Sequence, residues 1–162
     1  MSEIVIYTDG GNRNNQSENS IGAWAYTLTH NGETRENYGV ELNSTNNIQE
    51  MKACVEALRS IDEYDIPIKI HSDSAYLING IGKTQGTGWV DNWKKNDWTR
   101  GKKKEAIMNL ELWKELDELR CKFDSVEFVK VKGHSDSEGN NRVDALVNLA
   151  MDEYLKRMEE SK

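Results

Sequence analysis

The sequence predicts an α/β domain in which three antiparallel strands and then two parallel ones form a mixed five-stranded sheet flanked by helices. Three observations carry that expectation. Apolar residues alternate over Ile21 to Thr29 and at Tyr38, Val40 and Leu42, and recur at helical spacing from about Asn47. The dipeptide Asn31-Gly32, which a two-residue hairpin turn favours, separates two alternating stretches. Strand-like and helical segments then alternate, giving the order β-β-β-α-β-α-β-α.

Each element follows from its own pattern. "IVIYT", Ile4 to Thr8, is rich in strand formers and runs into Asp9. Ile21 to Thr29 alternates, with Trp24, Tyr26 and Leu28 on one side, and its return strand shows Tyr38, Val40 and Leu42 at period two. Between about Asn47 and Ile61, the residues Met51, Cys54, Val55, Leu58 and Ile61 form one helical stripe. Capping candidates Ser44, Thr45 and Asn46 precede it. Ile66 to Ser72 is a strand that ends at Asp73, followed by a short helix over Ala75 to Asn79. Glu105 to Arg120 reads as a helix with Ile107, Leu110, Trp113, Leu116 and Leu119 inward, and Val126 to Val131 as the fifth strand. The loop "KGHSDSEGNN" precedes a last helix, opened by Asp144, whose apolar face runs from Val143 to Leu155. The strand-helix-strand step from Ile4 through Ile61 to Ile66 implies parallel pairing.

Composition narrows the partners. The 162 residues suit a single domain, 1–162, and no apolar run approaches the roughly 20 residues of a spanning helix. "MSEIVIYTDG" lacks a basic region followed by a long apolar stretch, so a cytoplasmic protein without a secretory signal is expected. Cys54 and Cys121 fall in apolar helical patterns and are expected to be buried free thiols. Net charge is −7, yet Lys94 to Lys104 holds six basic residues against Asp97 alone. Salt screens charges beyond about 10 Å, so this local patch of +5 can hold phosphates although the remaining chain carries −12.

Four acids converge on one sheet edge in this layout. Asp9 and Asp73 end neighbouring strands, Glu50 lies one turn into the first long helix facing the sheet, and Asp144 opens the last helix. Ligands collect beyond the carboxyl ends of parallel strands. Each acid also has an ordinary use. Asp9 could shape a turn, Asp73 could cap the next helix, and Glu50 or Asp144 could favour a helix dipole. Four carboxylates at one spot repel one another, and a divalent cation relieves that repulsion; all-oxygen sites suit Mg2+ or Mn2+.

"YTDGG", "NNIQEMKA", "HSDSAYLINGI", "WKKNDW" and "VKGHS" followed by "NNRVDALVNLA" occur in an order that resembles ribonuclease H type 1, from about Ile4 to Ala150. The resemblance implies a ribonuclease H-like fold and an endonuclease that hydrolyses the RNA strand of RNA–DNA hybrids. Two Mg2+ ions, with Mn2+ a possible substitute, would leave 5′-phosphate and 3′-hydroxyl ends. Carried over position by position, Asp9, Glu50, Asp73 and Asp144 correspond to the family's catalytic metal ligands. His134 corresponds to its loop histidine, with a role in proton transfer or product release.

The same resemblance supplies expected substrate contacts. Thr45 and Asn109 would lie near a DNA phosphate, with Asn15, Asn46 and Asn47 along the minor groove. Trp89, Trp93, Lys94 and Lys95 belong to a stretch like the family's basic protrusion, which grips the DNA strand. Gly10 and Gly11 would let the substrate backbone come close, and the RNA strand's 2′-hydroxyls are then there to be read. Helix capping and tryptophan packing are the bland uses of these residues. The chain departs from the family at Asn141, where many relatives carry an acid. No N-terminal hybrid-binding module is expected, so processivity should be limited, and a monomer is the default. Two other classes share the pattern: a non-catalytic hybrid-binding module on the same fold, and a superfamily nuclease acting on DNA.

Overall fold

In the computed structural model, the described residues are 3–14, 20–101, 106–131 and 138–161. The strands are β1 (Ile4–Asn14), β2 (Ser20–His30), β3 (Glu33–Leu42), β4 (Ile68–Ser72) and β5 (Val126–Lys130). They form one sheet in the order β3-β2-β1-β4-β5. β1 pairs antiparallel with β2 and β2 with β3, whereas β1–β4 and β4–β5 are parallel, as the sequence predicts. At the first hairpin Asn31 has φ 53° and Gly32 φ 80°, the double positive φ that a primed turn requires.

The helices are α1 (Asn46–Arg59), α2 (Ala75–Ile81), α3 (Trp89–Lys95), α4 (Leu110–Cys121) and α5 (Glu138–Glu160). α1 packs on β1, β2 and α4, while α5 packs across β1, β2 and β3. Two apolar cores result. The larger joins Ile6, Tyr26, Met51, Leu58, Ile70 and Trp113 with their neighbours. The smaller sets Ile21, Ala23 and Ala25 of β2 against Leu146, Val147, Ala150 and Met151 of α5. β2 therefore buries both faces, its even positions toward α1 and its odd positions toward α5.

Several boundaries differ from expectation for local reasons. β1 does not stop at Thr8; its pairing with β2 continues through Gly10, Gly11 and beyond. α4 starts at Leu110 rather than Glu105, because Asn109 adopts a left-handed conformation (φ 60°, ψ 32°) that a helix cannot continue through. Ile107 is buried all the same. α5 starts at Glu138, so Asp144 lies in its second turn instead of opening it. α3 is a separate short helix, its start tied by the Gly88 N–H donating to Asp91 Oδ2 at 2.9 Å. Cys54 is buried and free as expected, but Cys121, the last residue of α4, is exposed.

Arg120 is the cation the apolar pattern did not foretell inside the core. Only 3% exposed, it donates to the carbonyls of Ile81 at 2.5 Å and Val126 at 3.3 Å, and lies 5.2 Å from the Phe128 ring centroid. Those bonds join the end of α2 to the start of β5 and offset the cost of burying the charge.

Candidate active site

β1 and β4 run parallel in the register Ile4↔Ile68 to Tyr7↔His71, which puts Asp9 level with Asp73, one residue past the end of β4. On the far side of β1, α1 comes in so close that a Cβ on Gly10 would stand 2.3 Å from the Gln49 carbonyl carbon and the Glu50 nitrogen. The Gly10 N–H donates to Glu50 Oε1. This approach brings Glu50 to Asp9. One carboxylate oxygen from each of Asp9, Glu50 and Asp73 lies within 4.8 Å of the others. Asp144 reaches the same open cleft, about 510 Å³ in volume, from α5.

The ordinary uses of these acids do not apply here. Asp9 sits within a continuous strand, not in a turn. The Ser74 hydroxyl caps α2, accepting from the Leu77 N–H at 3.1 Å, which leaves Asp73 no capping role. Thr45 caps α1, and no acid occupies that helix's first turn. Asp144 is beyond the first turn of α5, where dipole effects fade.

Burial makes the charges costly. Asp9 and Glu50 are 8% and 6% exposed. Loss of solvent raises the Asp9 pKa to about 7, aided by the charges of Asp73 and Asp144 and opposed by a hydrogen bond from Glu50. Burial also lifts Glu50 well above the usual carboxylate range, with Asp9 the next cause. Ionising both carboxyls at once is therefore costly in the ion-free site. No cation is among the main influences on either group. An all-oxygen, part-desolvated acidic set of this kind fits a hard divalent cation, whose charge lets every carboxyl ionise.

The remaining expected residues divide between two surfaces. Gly10, Gly11, Asn46 and Asn47 line the acidic cleft. Thr45 Oγ1 accepts from the Ile48 N–H at 3.1 Å, so its capping use is real. Thr45→Ala should lower stability by about 1 kcal/mol in a urea titration, whatever it does to substrate binding. Trp89, Trp93 and Asn109 gather around Tyr76 and Trp113 on the second surface. Trp89 and Trp93 stand 6.1 Å apart, and Asn109 Nδ2 and Trp113 Nε1 both donate to the Tyr76 hydroxyl at 3.2 Å. A cavity beside them is lined by Tyr76, Trp89, Trp93, Arg100, Ile107 and Met108. Lys95 is exposed, but Lys94 is ion-paired with Asp117 of α4 at 3.0 Å, which raises its pKa. Asn15, His134 and the basic residues Lys102, Lys103 and Lys104 lie outside the described residues.

The family model RNase H matches residues 1–152. The chain belongs to the ribonuclease H family. A ribonuclease H of Clostridium botulinum (strain Hall) is 48% identical over 154 residues, 95% of this chain and 99% of that protein. One from Ruthia magnifica is 41% identical over 152 residues, 94% of this chain and 97% of that protein. Among solved structures, the fold resembles a type 1 RNase H described as having the type 2 active-site motif (TM-score 0.73, 24% identity, 93% of this chain and 72% of that one). It also resembles the foamy viral protease-reverse transcriptase in complex with dsDNA (TM-score 0.75, 18% identity, 92% and 94%). The cleft also holds polar residues that the sequence pattern does not single out. Arg13, Asn140 and Asn148 also line the cleft, and nothing in their spacing marks them, because strand β1 and helix α5 meet only in three dimensions.

Proposed function

We propose that this ribonuclease H is an endonuclease that hydrolyses the RNA strand of RNA–DNA hybrids with two divalent ions, Mg2+ or Mn2+ in its place, leaving 5′-phosphate and 3′-hydroxyl ends. The carrying observation is the meeting of buried Asp9 and Glu50 with Asp73, and of Asp144 from another element, in one open cleft. By the family resemblance, Asp9 and Asp144 would hold one ion, and Asp9, Glu50 and Asp73 the other. When bound, the ions supply activation of the attacking water and stabilisation of the leaving oxygen. The protein holds the acids ready. The Gly10 N–H fixes Glu50, and burial makes it costly for Asp9 and Glu50 to ionise together without a cation. His134, six residues before Asn140 in sequence, would carry protons or aid product release.

α2 supports the hybrid reading. Its cap Ser74 lines the acidic cleft, and Tyr76, two residues on, lines the aromatic surface. Two residues of backbone would thus link a place for the scissile RNA phosphate to a place for the opposite strand. There Trp89 and Trp93 would meet sugars and Lys95 a phosphate, a contact that is sequence-blind and salt-dependent. Asn46 and Asn47, with Asn15, would follow the minor groove, and Thr45 and Asn109 would lie near a DNA phosphate. No helix among the described residues is long and apolar enough to cross a membrane. We place the protein in the cytoplasm as a monomer with one catalytic domain over 1–162.

The deciding experiment offers end-labelled RNA–DNA hybrid, RNA duplex, DNA duplex and single-stranded RNA with Mg2+, Mn2+ or chelator. Cutting should be confined to the hybrid's RNA strand and vanish with chelator. Hybrid binding without cutting under either ion would instead make the protein a reader on a nuclease fold.

A further inference from the structure

Helix α5 brings Asp144 to the cleft from outside the sheet, so some contact must set how the helix lies along the strand that bears Asp9. The residues on one face of β1 make that contact. Tyr7, Asp9, Gly11 and Arg13 alternate along the strand and so share a face. A Cβ on Gly139 would fall 2.4–2.6 Å from the Tyr7 ring, so the first turn of α5 rests directly on that ring. A Cβ on Gly11 would stand 3.0 Å from Val147 Cγ1. Arg13 completes the row. Its Nη1 donates to Asp152 Oδ1 at 2.7 Å and its Nη2 to Asn148 Oδ1 at 2.9 Å. Asn148 Nδ2 in turn donates to the Asp144 carbonyl oxygen at 3.0 Å. Because Oδ1 accepts from Arg13, the amide has one orientation, with its donor aimed at the residue one turn earlier.

We infer that Arg13 is a positioning residue for Asp144: its guanidinium, forked between Asn148 and Asp152, fixes the register of α5 against the strand that carries Asp9. The inference rests on Asp144 serving the metal centre as proposed above. Only a planar fork holds two partners at a set angle; an ammonium supplies the charge without that geometry. Two further ties steady the helix from the edge strand. Arg142 pairs with Glu36 through 2.7 and 2.9 Å bonds, and the Tyr38 hydroxyl donates to Glu153 at 3.0 Å. Neither acts on the turn that holds Asp144 through its own backbone carbonyl, as the Arg13–Asn148 link does.

The test compares wild type, Arg13→Ala, Arg13→Lys, Asn148→Ala, the double variant R13A/N148A, and Asp144→Asn. Hybrid cleavage is followed over a Mg2+ series and a salt series, and amide hydrogen exchange along α5 is measured in the ion-free protein. Arg13→Ala and Asn148→Ala should each lower kcat about tenfold and raise the half-saturating Mg2+ several-fold, the usual scale for partners that orient a metal ligand. KM for the hybrid should stay within about twofold, exchange around Asp144 should quicken, and the double variant should be no worse than the poorer single one. Arg13→Lys should recover less than half of the loss.

Unchanged kcat and Mg2+ dependence in both single variants, with Asp144→Asn inactive, would overturn the inference alone. So would a loss at Arg13→Ala that lies in KM, steepens with salt and is rescued by lysine, since Arg13 would then be a phosphate contact. Normal cleavage by Asp144→Asn would sink the assignment of Asp144 to the metal centre, and the inference with it.

Discussion

Asp9→Asn should abolish hybrid cleavage, by 10³-fold or more, and yet make the ion-free protein more stable at pH 8 than the wild type. The activity loss follows from removing one of the three acids whose carboxylate oxygens lie within 4.8 Å of one another. The stability gain follows from burial. Asp9 has a folded-state pKa raised from 3.8 to about 7. Between those values the folded chain holds a proton that the unfolded chain has released, so stability falls as pH rises through that window. Glu50, raised for the same reason, adds to the slope. Each pKa unit is worth about 1.4 kcal/mol, so a few kcal/mol separate the protonated site from the ionised one. An asparagine keeps the shape, carries no charge, and can donate from its amide to the Glu50 carboxylate. With chelator present, the wild-type Tm should drop from pH 5 to pH 8, and Asp9→Asn should flatten that drop and lie about 5 °C higher at pH 8. Mg2+ should restore the wild type and do little for the variant, because only the native site binds it well. Parallel pH profiles for the two proteins would mean that Asp9 is not the strained member of the site.

What could be read without coordinates was whatever depends on neighbours in sequence. The strand β2 with Tyr26 and Leu28 on one face, the Asn31-Gly32 turn and the stripe of Met51, Cys54, Val55 and Leu58 depend on local pattern, and all reappear in the structure, although β2 buries both of its faces. The acids Asp9, Glu50 and Asp73 were legible because each is tied to the end of a pairing or the start of a helix. What escaped depends on contacts between distant segments. Arg120 looked like one more polar residue at a helix end until α2 and β5 were seen to place two carbonyls against it. Lys94 looked free to meet phosphate, yet Asp117 is folded back onto it from α4. The early start of α5 was hidden because "SEGNN" is loop-like by propensity. Seating Gly139 on Tyr7 and burying Asn140 outweigh that weak preference.

Gly10 shows the same limit most sharply, because its reading from sequence has a different physical cause in the structure. A bare position beside a catalytic acid suggests room for substrate. The space is instead taken by the α1 backbone, with a would-be Cβ at 2.3 Å from Gln49 C and Glu50 N and 2.7 Å from Gln49 O. A side chain could swing away from such a contact, but main-chain atoms inside a helix cannot. Gly10→Ala must therefore push α1 off the sheet by about 1 Å or more to restore ordinary contact distances. That displacement breaks the Gly10 N–H bond to Glu50 Oε1 and draws Glu50 away from Asp9. Overpacking of this kind costs about 3 kcal/mol, which lowers Tm by roughly 10 °C in a chain of this size. A 1 Å misplacement at a reacting centre costs about 10²-fold in rate, so kcat should fall by at least that much. Gly11→Ala is the control on the opposite face. Its Cβ would meet only the Val147 and Met151 side chains, at 3.0 and 3.8 Å, and these can shift, so the loss should stay under about 1 kcal/mol. Thermal unfolding of both variants, set beside kcat and KM on the hybrid, separates the causes. If Gly10→Ala kept the wild-type Tm and raised only KM, the glycine would be there for the substrate and not for the helix.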